Sequence, residues 1–372
     1  MKKRILVIDD SALMRRVVCD IISSDDRFEV VGTAANGEEG LELLKTATFD
    51  AAVMDVVMPK MTGTAILKEL QKEHKHVRIM VFSSLTTEGA EATVEALELG
   101  AVDFMHKPSS IFGAQKDDFA KIFLDTLYAV SVSRMVLQSH MRVKMEGLKT
   151  AAATATPAVK AAMGSQNPNV PVKGPGAGRE TRIVAIASST GGPKALQAVI
   201  PYLPENLAAP VVIVQHMPAG FTASLAARLD ETSKLHVLEA AENMEICAGN
   251  VYIAPGEKHL HIVRKPGGGH AVHLTDGPRR EGVKPCANFM YESIAECGYQ
   301  DAVCVVMTGM GADGTEGISN LKQVKKIYTI TQDQSSCAVY GMPRAAFVKG
   351  LSDQVEPLEN LASAITKQVG VK

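Results

Sequence analysis

The chain carries no excess of charge of either sign. Its 39 basic and 41 acidic residues leave a formal net charge of −2 over 372 residues. A general binder of nucleic acid or of an anionic membrane surface is more basic than this, so neither partner is expected. No apolar run approaches the ~18 residues of a spanning helix, which excludes direct membrane insertion. The N-terminus opens with basic residues and the apolar run 5–8, but Asp9 and Asp10 end that run, too early for a secretory signal. The six cysteines (Cys19, Cys247, Cys286, Cys297, Cys304 and Cys337) form no Cys-x-x-Cys pair and no zinc-type spacing with histidine. They read as reduced thiols of a cytoplasmic protein rather than as a disulfide framework or a structural zinc site. There is no tandem repeat at a fixed period.

What is present is ordinary globular composition, 46% hydrophobic and 22% charged, in a chain long enough for two or three domains. Residues 1–130 alternate short apolar runs with amphipathic stretches. The runs are 5–8, 30–33, 51–54, 79–82 and 102–105, and between them apolar residues such as Leu13, Val17, Ile21 and Ile66, Leu67, Leu70 recur at helical spacing. Five β-then-α units predict a doubly wound parallel sheet of flavodoxin-like form. An amphipathic helix over 117–145, extending the unit to about 147, gives way to an Ala/Pro/Gly-rich stretch over 148–180 that reads as a flexible linker. From 181 to 372 a second, Rossmann-like α/β domain is expected. Its strands fall at 183–187, 211–215, 251–254, 302–307 and 327–330, and its helices at 193–202, 219–229, 287–296 and 358–369. Gly267, Gly268 and Gly269 lie between two β segments and read as a hairpin turn, not a phosphate loop.

In a doubly wound sheet the carboxyl ends of the strands converge on one rim. In the first domain that rim collects Asp9 and Asp10, Asp55, Ser83 and Lys107. Three carboxylates without histidine or cysteine suit Mg²⁺, and a lysine with a hydroxyl suits phosphoryl oxygens. Such a site can receive a phosphoryl group on a carboxylate. Residues 3–107 resemble a response-regulator receiver domain, in Ile8-Asp9-Asp10-Ser11, in Val53-Met54-Asp55-Val56-Val57-Met58-Pro59, and in Gly63, Ser83 and Lys107-Pro108. The resemblance implies phosphorylation of Asp55 by a histidine kinase, with Mg²⁺ on Asp9, Asp10 and Asp55 and with Lys107 and Ser83 reporting the phosphoryl group. It also implies a cis Lys107–Pro108 bond.

The second domain has no basic recognition helix, which argues against a DNA-binding output and for an enzyme. Ser189 follows the first strand of this domain in Ala187-Ser188-Ser189-Thr190-Gly191-Gly192-Pro193, a strand-to-helix turn that approximates a nucleophile elbow. A helix N-cap or a phosphate-cradling loop is the alternative reading of the turn alone, although no Walker lysine-serine pair follows. His216 ends the next strand and Asp313 follows a later one, within Thr308-Gly309-Met310-Gly311-Ala312-Asp313-Gly314. Ser, His and Asp at three strand ends of one sheet make a triad candidate.

Residues 182–370 resemble the catalytic domain of the chemotaxis protein-glutamate methylesterases. The resemblance lies in Ser189-Thr190-Gly191-Gly192, Gln215-His216-Met217-Pro218, Tyr252-Ile253-Ala254-Pro255-Gly256, the Thr308–Gly314 segment and Gly341-Met342-Pro343-Arg344. It implies nucleophile Ser189, base His216, orienting Asp313 and oxyanion donors at Thr190 and Met310. The implied reaction is hydrolysis of γ-glutamyl methyl esters on methyl-accepting chemoreceptors, with deamidation of glutamines there, and no cofactor in the ester chemistry. Ala187 and Ser188 depart from the family's usual Gly and Ala, so a second hydroxyl stands beside the nucleophile. A regulator whose second domain only binds a partner, and a hydrolase of another acyl substrate, are the competing readings.

Overall fold

The computed structural model describes residues 1–108, 116–133 and 181–372. The expected linker 148–180 and the helical extension beyond residue 133 lie outside the described residues.

The first unit runs β1 (Lys3–Ile8), α1 (Ala12–Ser23), β2 (Phe28–Ala34), α2 (Gly37–Thr46), β3 (Ala51–Met54), α3 (Gly63–Lys72), β4 (Ile79–Ser83), α4 (Thr87–Glu98), β5 (Asp103–His106) and α5 (Lys116–Val132). Four of the helices start on residues whose side chains cap them. Ser11, Asn36, Thr62 and Thr86 each accept a hydrogen bond from the backbone N–H three residues on. Asn36 and Glu39 add a reciprocal box, since Glu39 Oε2 accepts from the Ala35 N–H. Each such cap contributes about 1 kcal/mol and fixes where the chain leaves its strand. The strands pair in the order β2-β1-β3-β4-β5, all parallel.

The second unit is built on a seven-stranded parallel sheet: β6 (Arg182–Ser188), β7 (Val211–Gln215), β8 (His236–Glu239), β10 (Asn250–Ile253), β13 (Asp301–Val306), β14 (Lys326–Gln332) and β15 (Gln354–Glu356). The order is β15-β14-β13-β6-β7-β10-β8. Helices α6 (Gly192–Val199), α7 (Phe221–Thr232), α8 (Ala287–Ser293), α9 (Thr315–Val324), α10 (Met342–Val348) and α11 (Leu361–Val369) cover it. A small antiparallel sheet of β9 (Glu245–Ile246), β11 (His259–Arg264) and β12 (His270–Thr275) flanks it. Its hairpin turns at Gly267–Gly269, all three at positive φ, as their sequence predicts.

Both large sheets change winding direction at a defined pair of strands, β1/β3 in the first and β6/β13 in the second. A crevice opens where neighbouring strands send their chains to opposite faces. Helix ends differ from the sequence reading by a few residues. The helix expected to reach 202 stops at Val199 and finishes as a 3₁₀ turn, Ile200–Tyr202, around Pro201. The expected cis Lys107–Pro108 bond is not found; the cis bond among the described residues is Lys284–Pro285.

Candidate active site

Ser189, His216 and Asp313 follow β6, β7 and β13, three adjacent strands of the large sheet. Parallel pairing carries past the strand ends: the His216 N–H donates to Ser188 O and the Ser189 N–H to Thr308 O. Gly191, at φ 74°, takes the left-handed conformation that turns the chain into α6, where Pro193 sits in the first turn. Gly309 is a glycine for another reason. A Cβ there would come within 2.7 Å of Ser189 Cβ and 2.4 Å of Met342 Sδ. The loop after β13 therefore lies directly against the serine.

His216 Nε2 is 2.8 Å from Asp313 Oδ2. Asp313 is buried, and four donors converge on it. The Ala287 N–H (2.6 Å) shares Oδ2 with His216, while Cys286 Sγ (3.0 Å) and the Asn288 N–H (3.0 Å) take Oδ1. Burial by itself would raise the Asp313 pKa; the His216 bond and charge, together with the other donors, outweigh it and hold the carboxyl below its ordinary value. With Nε2 on the aspartate, Nδ1 is the imidazole nitrogen left for a serine hydroxyl.

The two adjacent serines differ. Ser188 is fully buried and its hydroxyl donates to Gln215 Oε1 at 2.7 Å. Gln215 Nε2 in turn donates to Ser189 O (3.0 Å) and His216 O (3.2 Å), tying together the turns that carry the serine and the histidine. Ser189 is half-buried, and its hydroxyl has no hydrogen-bond partner among the described residues. The backbone N–H groups of Thr190 and Met310 likewise have no acceptor among them. Thr308 Oγ1 donates to Thr190 O at 2.9 Å and fixes the turn from the other side.

The first sheet gathers its own cluster. Oxygens of Asp9, Asp10 and Asp55 lie within 4.8 Å of one another. Lys107 Nζ is 2.7 Å from Asp9 Oδ2 and 2.5 Å from Asp55 Oδ2. Three carboxylates drawn together beside a single ammonium leave a net negative cluster, which fits a hard cation such as Mg²⁺. Burial raises the Asp55 pKa, with Lys107 opposing. The Ser83 hydroxyl does not meet Asp55: it donates to Gly89 O, in the first turn of α4, at 3.1 Å.

Residues 184–365 match the CheB methylesterase family, and residues 5–112 the response regulator receiver domain. The chain is 41% identical to the protein-glutamate methylesterase/protein-glutamine glutaminase of Geobacillus kaustophilus, covering 99% of each chain. It is 39% identical to the Bacillus subtilis protein of the same description, covering 98% of each. Among solved structures, the CheB methylesterase catalytic domain of Thermotoga maritima is 41% identical, with a TM-score of 0.49, covering 50% of this chain and 98% of that one. The chain belongs to the protein-glutamate methylesterase/protein-glutamine glutaminase family.

In this methylesterase the receiver and the catalytic unit are in contact. Glu98, the last residue of α4, pairs with Arg228 of α7 through both carboxylate oxygens, at 2.6 and 2.8 Å, and accepts from Gln197 of α6 at 3.2 Å. Phe104 of β5 packs against Phe221 of α7, ring centroids 4.7 Å apart and planes tilted by 31°. Asp103, also on β5, is buried, with Oδ1 accepting from the Phe104 N–H at 2.9 Å and the Thr190 side chain among the neighbours that act on its charge. Burial lifts the Asp103 pKa to about 6. Among the described residues no helix is long and apolar enough to cross a membrane.

Residue-by-residue reading of the sequence missed Cys286, Ala287 and Asn288 around Asp313, Gln215 as a clamp, and Asp103 as a contact. Cys286 was visible only as one more scattered thiol. Gln215 stands beside His216 in Gln215-His216-Met217-Pro218, but nothing in the sequence ties it to Ser188.

Proposed function

We propose that Ser189, His216 and Asp313 are the catalytic triad of a serine hydrolase that removes methyl groups from γ-glutamyl methyl esters of chemoreceptors, and that deamidates glutamines at the same sites. The observation that carries this is the 2.8 Å His216–Asp313 bond on the strand next to the one that presents the unpartnered Ser189 hydroxyl. His216 Nδ1 takes the hydroxyl proton as Ser189 Oγ attacks the γ-carbonyl carbon. The oxyanion forms opposite the Thr190 and Met310 N–H groups. Collapse breaks the ester C–O bond, and His216 returns its proton to the departing methoxide, releasing methanol. Water, deprotonated by His216, then cleaves the acyl-enzyme to glutamate and free Ser189. With a glutamine side chain the same steps release ammonia. Asp313 holds the Nε2–H tautomer and stabilises the imidazolium.

Control comes from the receiver. Asp55 is the phosphoryl acceptor from a chemotaxis histidine kinase, with Asp9, Asp10 and Asp55 holding Mg²⁺, which neutralises phosphoryl charge during transfer. Lys107 and Ser83 then engage the phosphoryl oxygens. For Ser83 this means giving up its bond to Gly89 O, so the loss falls on α4, whose far end carries Glu98. Residues 1–130 act as this receiver, 148–180 as the tether and 181–372 as the enzyme, in the cytoplasm and without nucleic acid.

The test is methanol release from methyl-labelled receptor. Ser189→Ala should abolish it and prevent labelling by a serine-directed phosphonate. Retained turnover in Ser189→Ala would overturn the assignment.

A further inference from the structure

We infer that Cys286 is a positioning residue for the hydrolysis, its thiol locking the rotation of the Asp313 carboxylate and tuning its pull on His216. The inference rests on the triad reading above.

Cys286 is fully buried immediately before α8. Its sulfur lies 3.0 Å from Asp313 Oδ1, the oxygen turned away from His216. A carboxylate rotates freely about its last bond unless both oxygens are held. Here Oδ2 is held by His216 and the Ala287 N–H, and Oδ1 by the Cys286 thiol and the Asn288 N–H. The backbone donors come with any sequence that folds this way. The thiol is the part of the cradle, besides His216, that a side-chain substitution can remove.

The direction of the bond follows from charge. An ionised carboxylate only accepts, so the sulfur donates its hydrogen. Burial and the adjacent Asp313 charge push the Cys286 thiol up to about 12, so it stays protonated at any working pH. Two other buried thiols are used differently: Cys297 donates to Ile294 O and Cys337 to Gln332 O, backbone acceptors with no part in the site. A donor on Oδ1 draws charge from the carboxylate, so it also limits how strongly Asp313 stabilises a protonated His216.

Two effects of Cys286→Ala follow in the intact chain. A looser hold on Oδ1, where the Asn288 N–H alone remains, should lower kcat about three- to tenfold, the worth of one modest hydrogen bond, with KM little changed. Asp313 with one donor fewer should hold the His216 proton more tightly, moving the acid limb of the kcat/KM–pH profile upward by roughly half a unit. Cys286→Ser keeps a donor, a stronger one, and should restore both the rate and the limb. In an Asp313→Asn background, Cys286→Ala should cost little more. The pH dependence of Ser189 labelling by a phosphonate gives the same limb without receptor substrate. Unchanged rate and limb in Cys286→Ala would overturn the inference. So would equal losses in the Ala and Ser variants with an unmoved limb, which would mark a packing role. Turnover surviving Ser189→Ala would instead sink the triad reading itself, so the two failures are distinguishable.

Discussion

The Asp103 carboxyl, on the last strand of the receiver, is buried with Thr190, the residue directly after Ser189, among the neighbours that act on its charge. The regulatory unit thus touches the turn that presents the nucleophile.

Asp103 makes the contact sensitive to pH. Its pKa of about 6 in the docked state lies above the ordinary 3.8, because burial disfavours the charge. The docked protein therefore binds this proton more tightly than the undocked one, so docking strengthens as pH falls through about 6 and is weakest above it. Asp103→Asn should keep the shape of the side chain without the charge and lower the unphosphorylated methanol-release rate. Asp103→Lys should raise that rate towards that of a fragment starting near Thr181. Rates in both variants equal to the parent's would show that docking does not limit basal activity.

The Glu98–Arg228 pair offers a charge-swap test. Both groups are partly exposed, so the bidentate pair is worth up to about 1 kcal/mol. Glu98→Arg or Arg228→Glu should raise the basal rate about two- to fivefold, and the combined swap should reverse most of the gain. Additive gains in the double variant would exclude a direct pairing.

Chelation should separate the two chemistries. Among the described residues, the carboxylate, histidine and cysteine groups able to hold a cation are those at Asp9, Asp10 and Asp55. Removing Mg²⁺ should abolish stimulation by a small acyl-phosphate donor and leave basal methanol release intact. Lys107→Ala should behave like chelation in the stimulated assay. Basal activity lost on chelation in a fragment starting near Thr181 would disprove the separation.

Ser188→Ala should retain more activity than Ser189→Ala by orders of magnitude, since the Ser188 hydroxyl is buried against Gln215. A loss of about two- to tenfold is expected, because Gln215 then holds the Ser189 and His216 turns less firmly. Steady-state kinetics on the intact chain measures it.

Much of this was legible in sequence because parallel strands buried on both faces read as plain apolar runs, and the residue that follows each run is the one on the rim. Ser189, His216, Asp9, Asp55 and Lys107 stand at such run ends, whereas Asp313 lies further on, in the glycine-rich loop after its run. The partners of those residues were not. Cys286 meets Asp313 across 27 positions, and Glu98 meets Arg228 from another domain. Neither contact leaves a periodic or local signal, since each is decided by how whole elements pack. Ser83 was visible as a strand-end hydroxyl, but its bond to α4 depends on a helix start that only the fold locates.

Leu97, Ala101 and Phe104 of the receiver belong to the same buried apolar cluster as Leu196, Phe221 and Leu225 of the catalytic unit. Two domains that share a core cannot melt independently. While they are docked, heating should unfold them in one cooperative transition; once separated, each should melt alone, at its own temperature. Calorimetry of the unphosphorylated and phosphorylated chain would then read the regulatory state from the number of transitions, without any substrate present.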